Sequence, residues 1–129
     1  MGKKIDGELW TIGIADPQHK NGILSTIEID NFAIVTSGDY ERYLIMNGER
    51  YGHIINPKTG YPVKGVLSVT VLAPTAELAD ALATTIFILG EKDGIALANH
   101  LKSVECILIN AENKFFYSEG IQLNLFEDE

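Results

Sequence analysis

The run Ala76-Glu-Leu-Ala-Asp-Ala-Leu-Ala-Thr-Thr-Ile-Phe-Ile-Leu89 constrains this chain more than any other segment. It is rich in helix formers, opens behind Thr75 as a natural N-cap, and stops at Gly90. Glu77 falls in the first turn, where the helix dipole favours a carboxylate. The run is apolar nearly all round, and a helix of that kind is expected to be buried on more than one side. Its cover must come from the rest of the fold.

The flanking sequence supplies strands. Leu9 to Ile14, Leu24 to Ile29, Phe32 to Val35 and Val66 to Ala73 are rich in β-branched residues and closed by polar turns. Tyr43 to Met46 and Glu49 to Ile54 flank Asn47-Gly48, the dipeptide that tolerates positive φ in a type I′ hairpin. Asn56-Pro57-Lys58-Thr59-Gly60-Tyr61-Pro62 reads as a rigid loop. A second helix is expected over Lys92 to Leu101, then strands at Val104 to Ile109 and Lys114 to Tyr117, and a frayed Glu127-Asp128-Glu129 tail. The order predicts an α+β fold, a mainly antiparallel sheet with two helices packed on it. A length of 129 residues fits one domain, 1–129.

Charge narrows the function. Ten basic against eighteen acidic residues give a net charge of −8, which disfavours binding to a phosphate backbone. No nucleic-acid partner is expected. Cys106 stands alone in an apolar strand, so neither an internal disulfide nor a multi-cysteine zinc site is available, and burial as a small hydrophobe is expected. No stretch reaches the roughly 18 apolar residues of a membrane span, and the N-terminus carries no hydrophobic signal region. The chain reads as soluble, without direct membrane insertion and without an address.

Three places could carry chemistry. Asp80 lies in the second turn of the apolar helix, and a buried carboxylate there would need a cation, a metal or several donors. Thr84, one turn on, shares its face, and a carboxylate beside a hydroxyl suits a hard, oxygen-preferring ion such as Mg²⁺. The alternative leaves Asp80 on the solvent face with Thr84 bonded back to the helix. His53, at the end of the hairpin, is either an acid–base or ligand residue or a hydrogen-bonded structural one. Thr36-Ser37-Gly38-Asp39-Tyr40 follows a strand with small polar residues; such loops donate N–H groups to phosphates, or are simply turns. His19, in a polar turn, and His100, near a helix end, need no catalytic explanation.

In order along the chain, Trp10-Thr-Ile-Gly-Ile-Ala-Asp-Pro17, Thr36-Ser-Gly-Asp-Tyr-Glu-Arg42, His53-Ile-Ile-Asn-Pro-Lys-Thr-Gly-Tyr-Pro62, Thr70-Val-Leu-Ala-Pro74 and Ala79-Asp-Ala-Leu-Ala-Thr84 resemble the ApbE family. That resemblance implies an FAD:protein FMN transferase, which uses Mg²⁺ to cleave FAD and attach FMN to a Ser or Thr of a target flavoprotein. It places Asp80 and Thr84 on the metal. His53 and Ile54 fall at the flavin nucleotide, with His53 near the transferring phosphate and Ile54 contributing backbone or apolar contact. Ser37 and Gly38 line the same cleft.

Ala83 stands where many members have an acidic residue before the metal Thr, and Asn56 replaces the commoner Asp. The larger departure is length. The chain resembles the C-terminal part of the family, as a truncated gene, an expressed fragment or one half of a split protein would. Its implied partners are FAD, the acceptor flavoprotein, and either the missing N-terminal half or a second copy. The family resemblance implies an extracytoplasmic or membrane-anchored setting, and this sequence shows no signal or anchor. Weak or absent activity in isolation is expected. The rival readings are a non-catalytic flavin- or nucleotide-binding module and a self-associating structural fragment.

Overall fold

The computed structural model describes residues 4–15, 22–29, 31–38, 43–52, 54–61, 63–120 and 124–125. Its elements run β1 (Trp10–Ala15), β2 (Ile23–Ile29), β3 (Ala33–Gly38), β4 (Tyr43–Met46), β5 (Glu49–Gly52), β6 (Val66–Ala73), α1 (Ala76–His100), β7 (Glu105–Asn110), β8 (Phe115–Tyr117) and β9 (Asn124–Leu125). Every strand pairing among the described residues is antiparallel, so the α+β reading holds. The described residues form three sheets: β1-β2-β9, β3-β6-β7-β8, and the β4-β5 hairpin. The hairpin turns at Asn47 and Gly48, with φ of 52° and 80°, as a type I′ turn requires.

The order of the sheets follows from β6. All eight of its residues are buried, so it is covered on both faces. Val69, Val71 and Ala73 meet Ala79, Ala83, Ile86 and Phe87 of α1 in the larger core. From the opposite face, Leu72 joins Ile14 of β1, Ile27 of β2 and Ile107 of β7. The β3-β6-β7-β8 sheet therefore lies between the helix and the β1-β2 sheet, and its alternating residues serve two cores.

The two expected helices form as one element bent at Gly90, whose φ of 88° and ψ of −176° leave helical space. That conformation belongs essentially to glycine. Gly94 then packs against Ile86, and a Cβ built there would lie 2.7 Å from Ile86 Cγ2. The N-cap is as expected, with the Leu78 amide donating to Thr75 Oγ1 at 3.2 Å. His100 sits in the last turn.

Two expectations are corrected. The helix is covered less completely than expected: among its described residues Ala79, Ala83, Ile86, Phe87, Gly94 and Ala98 are buried and Leu82 and Ile88 are half-buried against the same core, whereas Leu78 and Leu89 stay exposed. One sheet reaches one face of a cylinder, and no second layer of described residues covers the other. The segment Thr36-Ser37-Gly38 is not loop but the end of β3, paired with β6 as far as Gly38 opposite Ser68. The short strand β9 was not anticipated, because two residues leave no periodicity to read. His19 and the tail from 126 onward lie outside the described residues.

Candidate functional site

Asp80 and Thr84 sit one turn apart on α1, and both are exposed. The carboxylate is therefore not the buried charge that its apolar surroundings in sequence implied. Neither side chain makes a hydrogen bond or ion pair in the described structure. The helix-bonded hydroxyl belongs instead to the neighbouring Thr85, whose Oγ1 donates to the Ala81 carbonyl at 2.8 Å. Thr84 thus keeps its oxygen available beside the Asp80 carboxylate. Among the described residues no three His, Cys, Asp or Glu side chains converge as a metal cluster. The chain offers a pair of hard oxygen donors on a rigid helix rather than a closed cage. A pair of this kind fits Mg²⁺, which keeps waters and substrate phosphates in its shell and takes one or two protein carboxylates.

Ser37 and Gly38 are adjacent in β3 and so point to opposite faces of the sheet. Ser37 shares its face with Ala33 and Val35, which pack against the helix-side core. Gly38 lies on the other face with Thr36, whose Oγ1 is 2.8 Å from Thr70 Oγ1. Only one of the two is therefore directed to the side of the sheet that carries α1. β3 is the edge of its sheet, so backbone groups turned away from β6 have no strand partner among the described residues.

Ile54 is buried in the helix-side core, and its carbonyl accepts from the Val63 amide at 2.9 Å. This pins one end of the 54–61 loop against the layer that carries Asp80. Asn56 organises that loop: its Oδ1 accepts from the Lys58 amide at 2.9 Å, and its carbonyl from the Gly60 amide at 2.8 Å. Either Asn or Asp could accept the first bond. His53 and Asp39 lie outside the described residues, so Ile54, Ser37 and the α1 pair are placed on the helix side of the sheet, with no contact among their side chains, and His53 is left unplaced.

Cys106 is excluded from nucleophilic chemistry. It is fully buried, and burial, reinforced by the neighbouring Glu105 carboxylate, pushes its thiol up to about 12. Around it, the Cys106 amide donates to Ser118 Oγ at 3.0 Å, and Ser118 in turn donates to Glu105, which ties β8 to β7. The hydroxyl row Ser68, Thr70 and Thr36 was not singled out from sequence; the alternation Ser68-Val69-Thr70 in an apolar strand is the signal that could have found it.

Residues 1–108 match the family model described as "ApbE family". The chain belongs to the ApbE family. It is 39% identical over 117 residues to a Haemophilus influenzae protein named FAD:protein FMN transferase, covering 88% of this chain and 34% of that one. The ApbE protein from Thermotoga maritima superposes with a TM-score of 0.82 at 37% identity, over 92% of this chain and 38% of that one. The flavin transferase ApbE from Vibrio cholerae gives 0.71 at 35% identity, over 92% and 38%. The chain thus spans about a third of the length of the curated relatives it matches. The ApbE fold over that third is shared, including the β6–α1 layer on which Asp80 and Thr84 stand.

Proposed function

We propose that this chain carries the C-terminal part, folded as one domain, of an Mg²⁺-dependent FAD:protein FMN transferase, which moves FMN from FAD to a Ser or Thr hydroxyl of a target flavoprotein. The observation that carries the reading is the Asp80–Thr84 pair, exposed, one turn apart and free of competing bonds on a helix fixed by its other face. The named relatives supply the reaction class.

In this reading the acceptor hydroxyl oxygen attacks the FMN phosphorus of FAD. A new phosphoester bond forms, the pyrophosphate P–O bond breaks, and AMP leaves while the hydroxyl proton passes to a base. Asp80 and Thr84 would hold Mg²⁺, which when bound neutralises phosphate charge and aligns the leaving group. Their rigidity matters, because a helix anchored by Ala79, Ala83 and Phe87 fixes both oxygens without loop ordering. His53 is assigned the region of the transferring phosphate, where an imidazole can take the hydroxyl proton. Ile54 contributes backbone and apolar contact, and Ser37 with the β3 edge lines the cleft beside it.

Titrating FAD into the chain with and without Mg²⁺, and into Asp80→Ala and Thr84→Ala, tests the reading. Binding that needs the metal and is lost in both variants is expected. FAD binding indifferent to Mg²⁺ and to Asp80→Ala would replace it with a non-catalytic flavin-binding module.

A further inference from the structure

β3 is held from one side. It pairs with β6 from Ala33 opposite Ala73 to Gly38 opposite Ser68, and its other edge meets no strand among the described residues. Such a strand frays most easily at its end, and here the end is Ser37 and Gly38. Gly38 weakens it further, because glycine brings no side chain to pack. One side-chain bond offsets this. Thr36 and Thr70 stand directly opposite each other, with their Oγ1 atoms 2.8 Å apart. Among the described residues no side chain beyond this pair bonds from β3 to β6, so it is the last such tie before the strand ends. The two hydroxyls differ in setting. Thr70 is 1% exposed, with Ile107 of β7 opposite it on its other flank, whereas Thr36 is open to solvent. The buried hydroxyl is therefore the fixed partner, and the exposed one belongs to the segment that it holds.

We infer that Thr70 is a positioning residue for the proposed flavin transfer: through Thr36 its hydroxyl fixes the end of β3, and with it the Ser37 and Gly38 that line the cleft. The inference rests on the proposed function and adds to it a residue remote from flavin and metal. Val69 and Val71 face the helix-side core, so Thr70 between them faces away from α1 and acts only through the backbone of β3.

Three variants separate positioning from stability. Thr70→Val removes the buried hydroxyl with little change of shape and leaves Thr36 to water, so the melting temperature should stay within about 2 °C. Thr36→Val strands the Thr70 hydroxyl without a partner and should lower it by about 3 °C or more. Thr70→Ser keeps the hydroxyl but loses a buried methyl, so it should melt below Thr70→Val and yet bind better. Mg²⁺-dependent FAD affinity should fall about fivefold in both valine variants and stay within about twofold of the unaltered chain in Thr70→Ser. Without FAD, amide exchange at the 36–38 amides that pair with β6 should quicken about fivefold in the valine variants and not in the serine one. Unchanged affinity or unchanged exchange in Thr70→Val overturns the inference. So does an affinity loss that follows melting temperature across the three variants, since stability alone then explains it. An unaltered chain that binds no FAD with Mg²⁺ refutes the proposed function, which is a separate result. The exchange measurement then still reads the hold of Thr70 on Ser37 and Gly38, and equal exchange there overturns it.

Discussion

On one side of α1, Ala79, Ala83, Ile86 and Phe87 press against β6 and are sealed from water. On the other, Leu78 and Leu89 remain 41% and 43% exposed, although both sides are written in the same aliphatic vocabulary. The difference is one of cover, not of composition. Small alanines let the helix approach the sheet, and Phe87 fills the space between them, whereas the opposite flank meets no second layer of described residues. An apolar helix therefore measures how much surface a fold must cover, while the elements present decide which part of it is covered. Between the two sides stand Asp80 and Thr84, held by the buried face and open to solvent.

The sharpest way to break the comparison is Phe87→Ala, expected to cost about 3–5 kcal/mol of unfolding free energy by urea titration, because a sealed ring leaves a cavity. A loss below 1 kcal/mol would show that the helix-side core is not close-packed. Next come the two glycines of the bend. Gly90→Ala forces a side chain into glycine-only backbone space, and Gly94→Ala drives a Cβ to 2.7 Å from Ile86; each should cost about 1–3 kcal/mol. Equal stability of both variants would mean that the bend moves freely.

Cys106 gives a pH test of the sealed side. Its thiol is ordinary in the unfolded chain, at 9.0, and raised to about 12 in the fold. Below about pH 9 both states keep the proton and the fold has its full stability from this group. Above that the unfolded state releases the proton first, so this contribution to stability falls as pH rises toward about 12. Cys106→Ala should flatten that decline between pH 9 and 11 in urea titrations; an unchanged slope would mean that the thiol ionises in the folded chain as it does in the unfolded one. The smallest stability effects belong to the open side. Leu89→Ser and Asp80→Ala should each change unfolding free energy by about 0.5 kcal/mol or less, while Asp80→Ala, unlike Leu89→Ser, should remove the proposed Mg²⁺-dependent FAD binding. A large destabilisation by Leu89→Ser would show that the flank is already covered in the isolated chain.

The sequence by itself determined the element order from β1 to β8, the Asn47-Gly48 turn, the Thr75 cap and the break at Gly90. Each depends on local backbone preferences that neighbouring residues set. Family membership was equally legible, because five motifs recur in order, among them the one that holds Asp80 and Thr84. What only the tertiary structure decided was cover and direction. The extension of β3 through Gly38 came from pairing with β6 at Ser68, a contact between residues thirty positions apart in the chain. It sent Ser37 to the helix side and Gly38 to the other. The exposure of Asp80 and the open Leu78–Leu89 flank likewise depend on where one sheet meets one face of a helix. Periodicity describes the surface of an isolated element, whereas burial is a property of two elements in contact.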